Sequence, residues 1–225
     1  MNKRSLLSFF IFFASRAIAQ EPGFVVIVNG QSSSGKTSIT RALSYLLPVP
    51  TLGMGVDTIF DMLPLAKKST WFKPVMEQTK SGQPAMRLVG TPLGKKLCRT
   101  LAQTVRLLAE AGNNVVVDEV IEGEEELYFY VDALEGIKVY FVGVFCDIDV
   151  LEIREAIRGN RPIGIARGQI NYIHQRPRFY DLELDSARQN PLACADQVIT
   201  LIERNQKPKS FEKLRAVRTT TSCHD

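Results

Sequence analysis

Residues Gly30-Gln31-Ser32-Ser33-Ser34-Gly35-Lys36-Thr37 carry two glycines, a lysine and a hydroxyl side chain at the spacing Gly-x4-Gly-Lys-Thr. Phosphate binding needs these types in this order. The glycines let the backbone turn tightly, so the N–H groups of Gln31, Ser32, Ser33 and Ser34 can face an anion. Lys36 reaches the outer phosphates and Thr37 offers its hydroxyl to Mg²⁺. Two carboxylates fall where they could complete the chemistry. Asp118, in Val115-Val116-Val117-Asp118-Glu119, suits a residue that orients Mg²⁺ or its waters. Asp57, in Gly53-Met54-Gly55-Val56-Asp57, could accept a proton from an acceptor hydroxyl; capping the helical turn that follows is the competing role. Arg154, Arg158 and Arg161 recur at i, i+4 and i+7, followed by glycine-rich chain. If the helix continues that far they share one face, either as a lid that clamps transferring phosphate or as a solvated basic stripe.

The elements that must position these residues alternate between strand and helix. Apolar β-branched runs at 24–28, 114–120 and 138–145 read as buried strands, with shorter ones at 51–56 and 182–184. Helical periodicity covers 36–47, 93–111, 124–134, 150–158 and 191–204, with a turn at 58–63. Buried strands separated by helices imply a parallel sheet covered on both faces. The strand endings then line one crevice. Residues 67–92 contain Pro74, Pro84, Gly82, Gly90 and the single Trp71 without a clean period, and are expected to be irregular or short-helical. Beyond Asn205 the polar, basic residues 206–225 are expected to be loose. Residues 20–205 form one domain on this reading.

Composition bounds the function. The chain has 225 residues, 45% of them hydrophobic, and a formal charge of +4. The charge is concentrated at the ends: without Lys3, Arg4 and Arg16, 28 basic residues become 25 against 24 acidic. The middle has no basic footprint for nucleic acid. Residues 1–19 have a basic start, an apolar run from Leu6 to Ala14 and small residues at Ala17 and Ala19, the layout of a secretory signal too short to span a bilayer. The expectation is export to the periplasm or beyond, with a cytoplasmic chain if the segment is not used, and no membrane span after its removal. Cys98, Cys146, Cys194 and Cys223 show no metal-type spacing with His174 or His224. An even number permits disulfides; Cys98, Cys146 and Cys194 also read as small core residues. Oligomeric state is not read from these patterns.

A phosphate loop alone serves switches, motors and kinases. A GTPase would carry an Asn-Lys-x-Asp stretch after a later strand, and none is present. A motor is usually larger. The motifs NGQSSSGKT, GVDTIFDMLPL, VVVDEV, VGVFCD, REAIRGNRPIGIARGQINYIH and YDLELD, in this order, resemble the chloramphenicol phosphotransferase family over about residues 25–198. The resemblance implies a three-layer α/β/α P-loop nucleoside-triphosphate hydrolase fold, nucleotide-kinase-like, with an arginine-bearing lid. It implies ATP-dependent phosphorylation of a small-molecule hydroxyl, the primary hydroxyl of chloramphenicol in the antibiotic-inactivating members. Asp57 matches the family's base, Lys36 and Thr37 its phosphate loop, Asp118 its third acidic block. Arg154, Arg158, Arg161 and Gln169 match the lid run, and His174 matches in spacing, as a site residue or a structural one. Asn160 departs from the pattern, where an Asp is expected between the lid arginines. Residues 67–92, expected to select the acceptor, are where the resemblance fades. A secreted kinase with another acceptor, or a nucleotide-binding switch without transfer, are the alternatives.

Overall fold

The computed structural model describes residues 21–79, 81–159, 163–175, 179–204 and 206–221. The leader at 1–19, Asn160, Arg161, Cys223 and His224 lie outside the described residues. A five-stranded parallel sheet runs in the order β2 (Thr51–Gly55), β5 (Asn114–Glu119), β1 (Val25–Gly30), β6 (Val139–Phe145), β7 (Leu182–Asp185). The central strand β1 is buried along its whole length, which explains its unbroken apolar run.

Side-chain alternation sorts the sheet into two cores. Val25 and Ile27 pack on one face with Val115, Val117 and Phe141. Against them lie Leu101 and Val105 of α3 (Pro92–Glu110) and Leu127 and Val131 of α4 (Glu124–Ala133). Val26 and Val28 pack on the other face with Val116, Tyr140 and Val142. Here the cover is Ile39 and Leu43 of α1 (Lys36–Leu46) and Cys194 and Val198 of α7 (Pro191–Glu203). The result is the expected three-layer α/β/α arrangement. Helix starts follow the sequence closely. Thr91 and Asn190 accept hydrogen bonds from Gly94 N and Ala193 N at 3.3 and 2.9 Å, each followed by a first-turn proline.

Three segments differ from the sequence reading. Residues 67–92 are mostly an antiparallel hairpin, β3 (Phe72–Gln78) with β4 (Pro84–Gly90), preceded by a 3₁₀ turn at Leu65–Thr70. The hairpin hid because β3 exposes residues on both faces, so no period of two exists, and its prolines are tolerated in edge strands. The tail is not loose: α8 (Ser210–Thr221) buries Phe211 and Leu214 in the first core, with the Phe211 and Phe141 rings 5.7 Å apart. Asp181 Oδ1 anchors its start by accepting from Lys209 N and Ser210 N at 2.8 and 3.1 Å. Finally, α5 (Ile148–Arg158) stops at Gly159, whose φ of 62° is left-handed; the expectation for Arg161 lies outside the described residues. The chain then forms a short α6 (Ile165–Gln169), also unexpected. Among the described residues no helix is long and apolar enough to cross a membrane.

Candidate active site

The strand β1 delivers Gly30 and helix α1 starts at Lys36, so residues 31–35 close a loop over the helix N-terminus. Gly35 caps the helix at φ 87°, and Ser33 also adopts a positive φ of 64°. These turns aim backbone N–H groups inward, as anion binding requires. The Ser33 and Ser34 hydroxyls are buried without a hydrogen-bond partner among the described residues. Phosphate oxygens would satisfy them, so the loop fits a polyphosphate. Lys36 is 5% exposed and its Nζ donates to Gln31 O at 2.8 Å, lying along the loop.

Parallel pairing sets Asp118 level with Val28 and with Gly55. This register brings its carboxylate to the Thr37 hydroxyl, which donates to Asp118 Oδ2 at 2.5 Å. Two hard oxygen ligands facing the loop fit Mg²⁺, whose other positions water and phosphate would fill. No group of three or more His, Cys, Asp or Glu forms a metal cluster among the described residues. A cavity of about 350 Å³ opens here, lined by Ser32, Ser33, Gly35, Lys36, Thr37, Asp57, Asp118, Arg154 and Arg158. Arg154 Nη2 donates to Ser186 O at 2.8 Å, holding its guanidinium beside Gly35.

A larger cavity of about 570 Å³ adjoins it, between α2 (Val56–Asp61), the hairpin and the end of β5. Phe60, Phe72, Leu88 and Ile165 give it apolar walls, the two phenyl rings 5.0 Å apart. Asp61, Glu119, Glu122, Glu126 and Tyr130 supply its polar groups. Val56, Asp57, Val120 and Arg158 line both cavities. Asp57 and Arg158 therefore stand at the junction. Asp57 is the second residue of α2, which Gly55 caps, so the capping role open in the sequence falls to another residue.

On the cavity floor Glu119 is 6% exposed and accepts from Tyr130 OH at 2.7 Å and Val120 N at 3.1 Å. Burial, reinforced by Asp118 and Glu126, lifts its carboxyl to about 7 against the two hydrogen bonds that favour ionisation. Burial and the nearby Glu119 and Glu126 push the Cys98 thiol up to about 12. Burial, followed by Glu119, raises the Tyr130 phenol well above its ordinary range. Cys98, Cys146 and Cys194 are free thiols.

Gln169, expected on a lid over the nucleotide, instead reaches the phosphate loop from α6. Its Oε1 accepts from Ser32 N at 2.7 Å and its Nε2 donates to Glu122 Oε1 at 2.8 Å. His174 supports the same loop from the other side. Its Nε2 lies 3.2 Å from Gln31 Oε1 and from Val144 O, and its Nδ1 lies 2.9 Å from Tyr180 OH. Two acceptors beside Nε2 place the proton there. The ring stacks on Phe145 at 3.9 Å. His174 borders a third cavity, of about 450 Å³, beyond Gln31 rather than the phosphate cavity, so its place is that of a loop support.

Three residues that matter here carried no sequence prediction of their own: Glu122, Glu155 and Tyr180. Glu155, 1% exposed, accepts from Gly164 N at 2.7 Å and Ala166 N at 3.0 Å, folding the lid chain back onto α5. It lies inside the Arg-rich run, where the arginines alone drew attention. Tyr180 accepts from Asn29 Nδ2 at 2.9 Å, while Asn29 Oδ1 accepts from Ile121 N at 2.9 Å, so one buried network ties β1 to both neighbouring loops.

Comparison with known proteins agrees with this geometry. The profile of the family described as "Chloramphenicol phosphotransferase-like protein" matches residues 23–203. A Mycobacterium tuberculosis protein (strain H37Rv) whose name proposes O-phosphotransferase activity is 28% identical over 202 residues, spanning 86% of this chain and 88% of that one. A sugar kinase from Janibacter superposes with TM-score 0.60 at 19% identity, covering 81% of this chain and 95% of its own. The Mycobacterium tuberculosis APS kinase, solved with AMPPNP and APS, gives 0.56 at 20%, covering 81% and 98%. At such identities the superpositions establish a shared P-loop kinase fold.

Proposed function

Because this chain belongs to the chloramphenicol phosphotransferase-like family, we propose that it transfers the γ-phosphoryl group of ATP to the hydroxyl of a neutral or cationic small molecule. The class, a phosphotransferase, follows from the family; the donor, the acceptor and the residue roles are our inference. The observation that carries it is the position of Asp57 and Arg158 on the wall common to the two cavities. A hydroxyl bound in the larger cavity meets the terminal phosphate held in the smaller one.

In this reading Asp57 holds the acceptor hydroxyl in line and takes its proton as the oxygen–phosphorus bond forms. The bond between the γ-phosphorus and the bridging oxygen breaks, and ADP leaves. Lys36, Arg154 and Arg158 offset the charge spread over the phosphoryl oxygens. Thr37 and Asp118 would hold Mg²⁺, which neutralises phosphate charge when bound. The larger cavity's lining supports the acceptor class. Among the described residues Arg158 is its one cationic side chain, against five carboxyl groups at Asp57, Asp61, Glu119, Glu122 and Glu126. Such a lining disfavours carboxylate or phosphate on the acceptor. Chloramphenicol, neutral with a primary hydroxyl, fits that description.

A radiolabelled-ATP screen over neutral, amine-bearing and acidic alcohols tests the reading. We expect label on an alcohol, dependent on Mg²⁺ and on Asp57. ATP turnover indifferent to any added alcohol would instead support a nucleotide switch. We propose export through residues 1–19 as well; sequencing the N-terminus of the chain from secreted and cytosolic fractions decides it.

A further inference from the structure

We propose that Gln169 is a positioning residue through which the β3–β4 hairpin sets the conformation of the phosphate loop. The proposal rests on the phosphotransferase reading for its purpose, since it links the acceptor cavity to the donor loop.

A continuous chain of hydrogen bonds carries it. Arg87 of β4 donates from Nη1 to Glu77 Oε1 at 3.1 Å and from Nε to Glu122 Oε2 at 2.9 Å. The other oxygen of Glu122 accepts from Gln169 Nε2 at 2.8 Å. Gln169 Oε1 then accepts from Ser32 N at 2.7 Å. Arg87 is further fixed by the Tyr172 ring, 3.5 Å from its guanidinium carbon. Gln169 is only 4% exposed, so its amide has little water to turn to.

The direction of the chain follows from chemistry. An amide can face either way, but an ionised carboxylate only accepts. Glu122 is ion-paired with the Arg87 guanidinium through Oε2 at 2.9 Å, so Gln169 turns its NH₂ toward the remaining carboxylate oxygen. Its oxygen is thereby left for Ser32 N. Ser32 is thus tied toward α6 as the chain enters the left-handed turns at Ser33 and Gly35 that aim the loop's N–H groups. Without Arg87, Glu122 loses the ion pair that fixes its carboxylate, and the amide loses a fixed acceptor to face.

The same chain touches the acceptor cavity. Leu88, next to Arg87, and Ile165, on the helix that bears Gln169, both line that cavity. Helix α6 is pressed on β4: Met86 N donates to Gly164 O at 3.0 Å. A Cβ at Gly168 would stand 2.1 Å from Met86 O. An acceptor pushing on Leu88 or Ile165 shifts the two supports of Gln169, and the phosphate loop senses acceptor seating.

The test perturbs the far end and reads the loop. Arg87 lines neither cavity, so Arg87→Met removes no wall residue of either. In the full chain without ligand, we expect hydrogen exchange in the peptide containing Ser32–Gly35 to quicken at least about fivefold, the lower end of typical site-to-site coupling. Mg·AMPPNP should bind about fivefold more weakly, with exchange in β1 and β5 unchanged. Gln169→Leu should do the same, and the double variant should be no worse than the worse single one, as members of one chain are not additive. Gln169→Glu sets two carboxylates face to face and should loosen the loop. Adding Glu122→Gln restores a donor opposite an acceptor and should restore slow exchange, even if Arg87→Met does not fold. Unchanged loop exchange in Arg87→Met, additive losses, or no rescue by the swapped pair would each overturn the proposal. Failure of the wild type to bind Mg·AMPPNP would overturn the phosphotransferase reading instead, while the exchange arm still judges the relay.

Discussion

In the proposed transfer, a single carboxylate, Asp57, separates phosphate holding from phosphate transfer. Its sequence context allowed a cap or a base, and the structure gives the cap to Gly55 and puts Asp57 on the wall between two cavities. Asp57→Asn keeps size and polarity while removing the proton acceptor. We expect phosphorylation to fall by about 10²–10⁴-fold, the range of a general base, with Mg·AMPPNP affinity within about twofold. A normal transfer rate in that variant would remove Asp57 from the mechanism. Glu119, next to the metal-side Asp118, makes a different prediction. Successive strand residues face opposite sides, so Glu119 points into the acceptor cavity with a carboxyl lifted to about 7 from 4.5 by burial. A raised carboxyl binds a proton in the folded chain that the unfolded chain has released. Its stabilising effect is whole below about pH 4.5 and is lost as pH rises through about 7. Between pH 5 and 8 this group alone should lower stability by roughly 2–4 kcal/mol, and Glu119→Gln should flatten that slope. Urea unfolding at the two pH values measures it. An identical slope in wild type and variant would mean the folded carboxyl titrates normally.

At the scale of elements, legibility followed burial. Strands β1, β5 and β6 are buried on both faces, so their apolar runs announced them within a residue or two. The phosphate loop was legible because its spacing is fixed by local backbone geometry. Gln169 was expected in the lid run, and its contacts were not legible because its partners Ser32 and Glu122 are 137 and 47 residues away. The hairpin escaped because β3 has no buried residue and β4 buries only the adjacent pair Ala85 and Met86, so neither strand alternates, and α8 because only Phe211 and Leu214 of its apolar residues are buried in a basic stretch. Phe211 is 5% exposed against Phe141, so its loss leaves a cavity under β6. Phe211→Ala should cost about 3–5 kcal/mol in chemical unfolding, a value that a loose tail would not give. Similarly, α6 sits so close to β4 that any side chain at Gly168 must move backbone. Gly168→Ala should cost about 1–3 kcal/mol and loosen hairpin and phosphate loop together in hydrogen exchange. Hairpin exchange that rises alone would separate the two elements.

For the molecule as a whole, strand order decides what can react. The order β2-β5-β1-β6-β7 sets side by side, all parallel, the strands that lead to the phosphate loop (β1), carry Asp118 (β5) and lead to Asp57 in α2 (β2), so their C-terminal ends share one crevice. The sheet is then fully used by the donor side. The inserted hairpin with α2 adds the larger cavity, with Phe60, Phe72 and Leu88 as its walls. Under the proposed function, specificity would belong to the insertion and to the carboxyl-rich end of β5, and the phosphate chemistry to the sheet. The pocket, about 570 Å³, suits a drug-sized alcohol. Under the proposed function, its five carboxyl groups among the described residues would set the sign of charge it accepts, because one like-charge contact across a partly dry wall costs several kcal/mol. Chloramphenicol and shikimate, one neutral and one a carboxylate, make the comparison. We expect kcat/KM for chloramphenicol to exceed that for shikimate by at least about tenfold, and added salt to narrow the gap by screening the exposed carboxylates. Preference for shikimate, or a gap that salt leaves untouched, would show that shape rather than charge selects the acceptor.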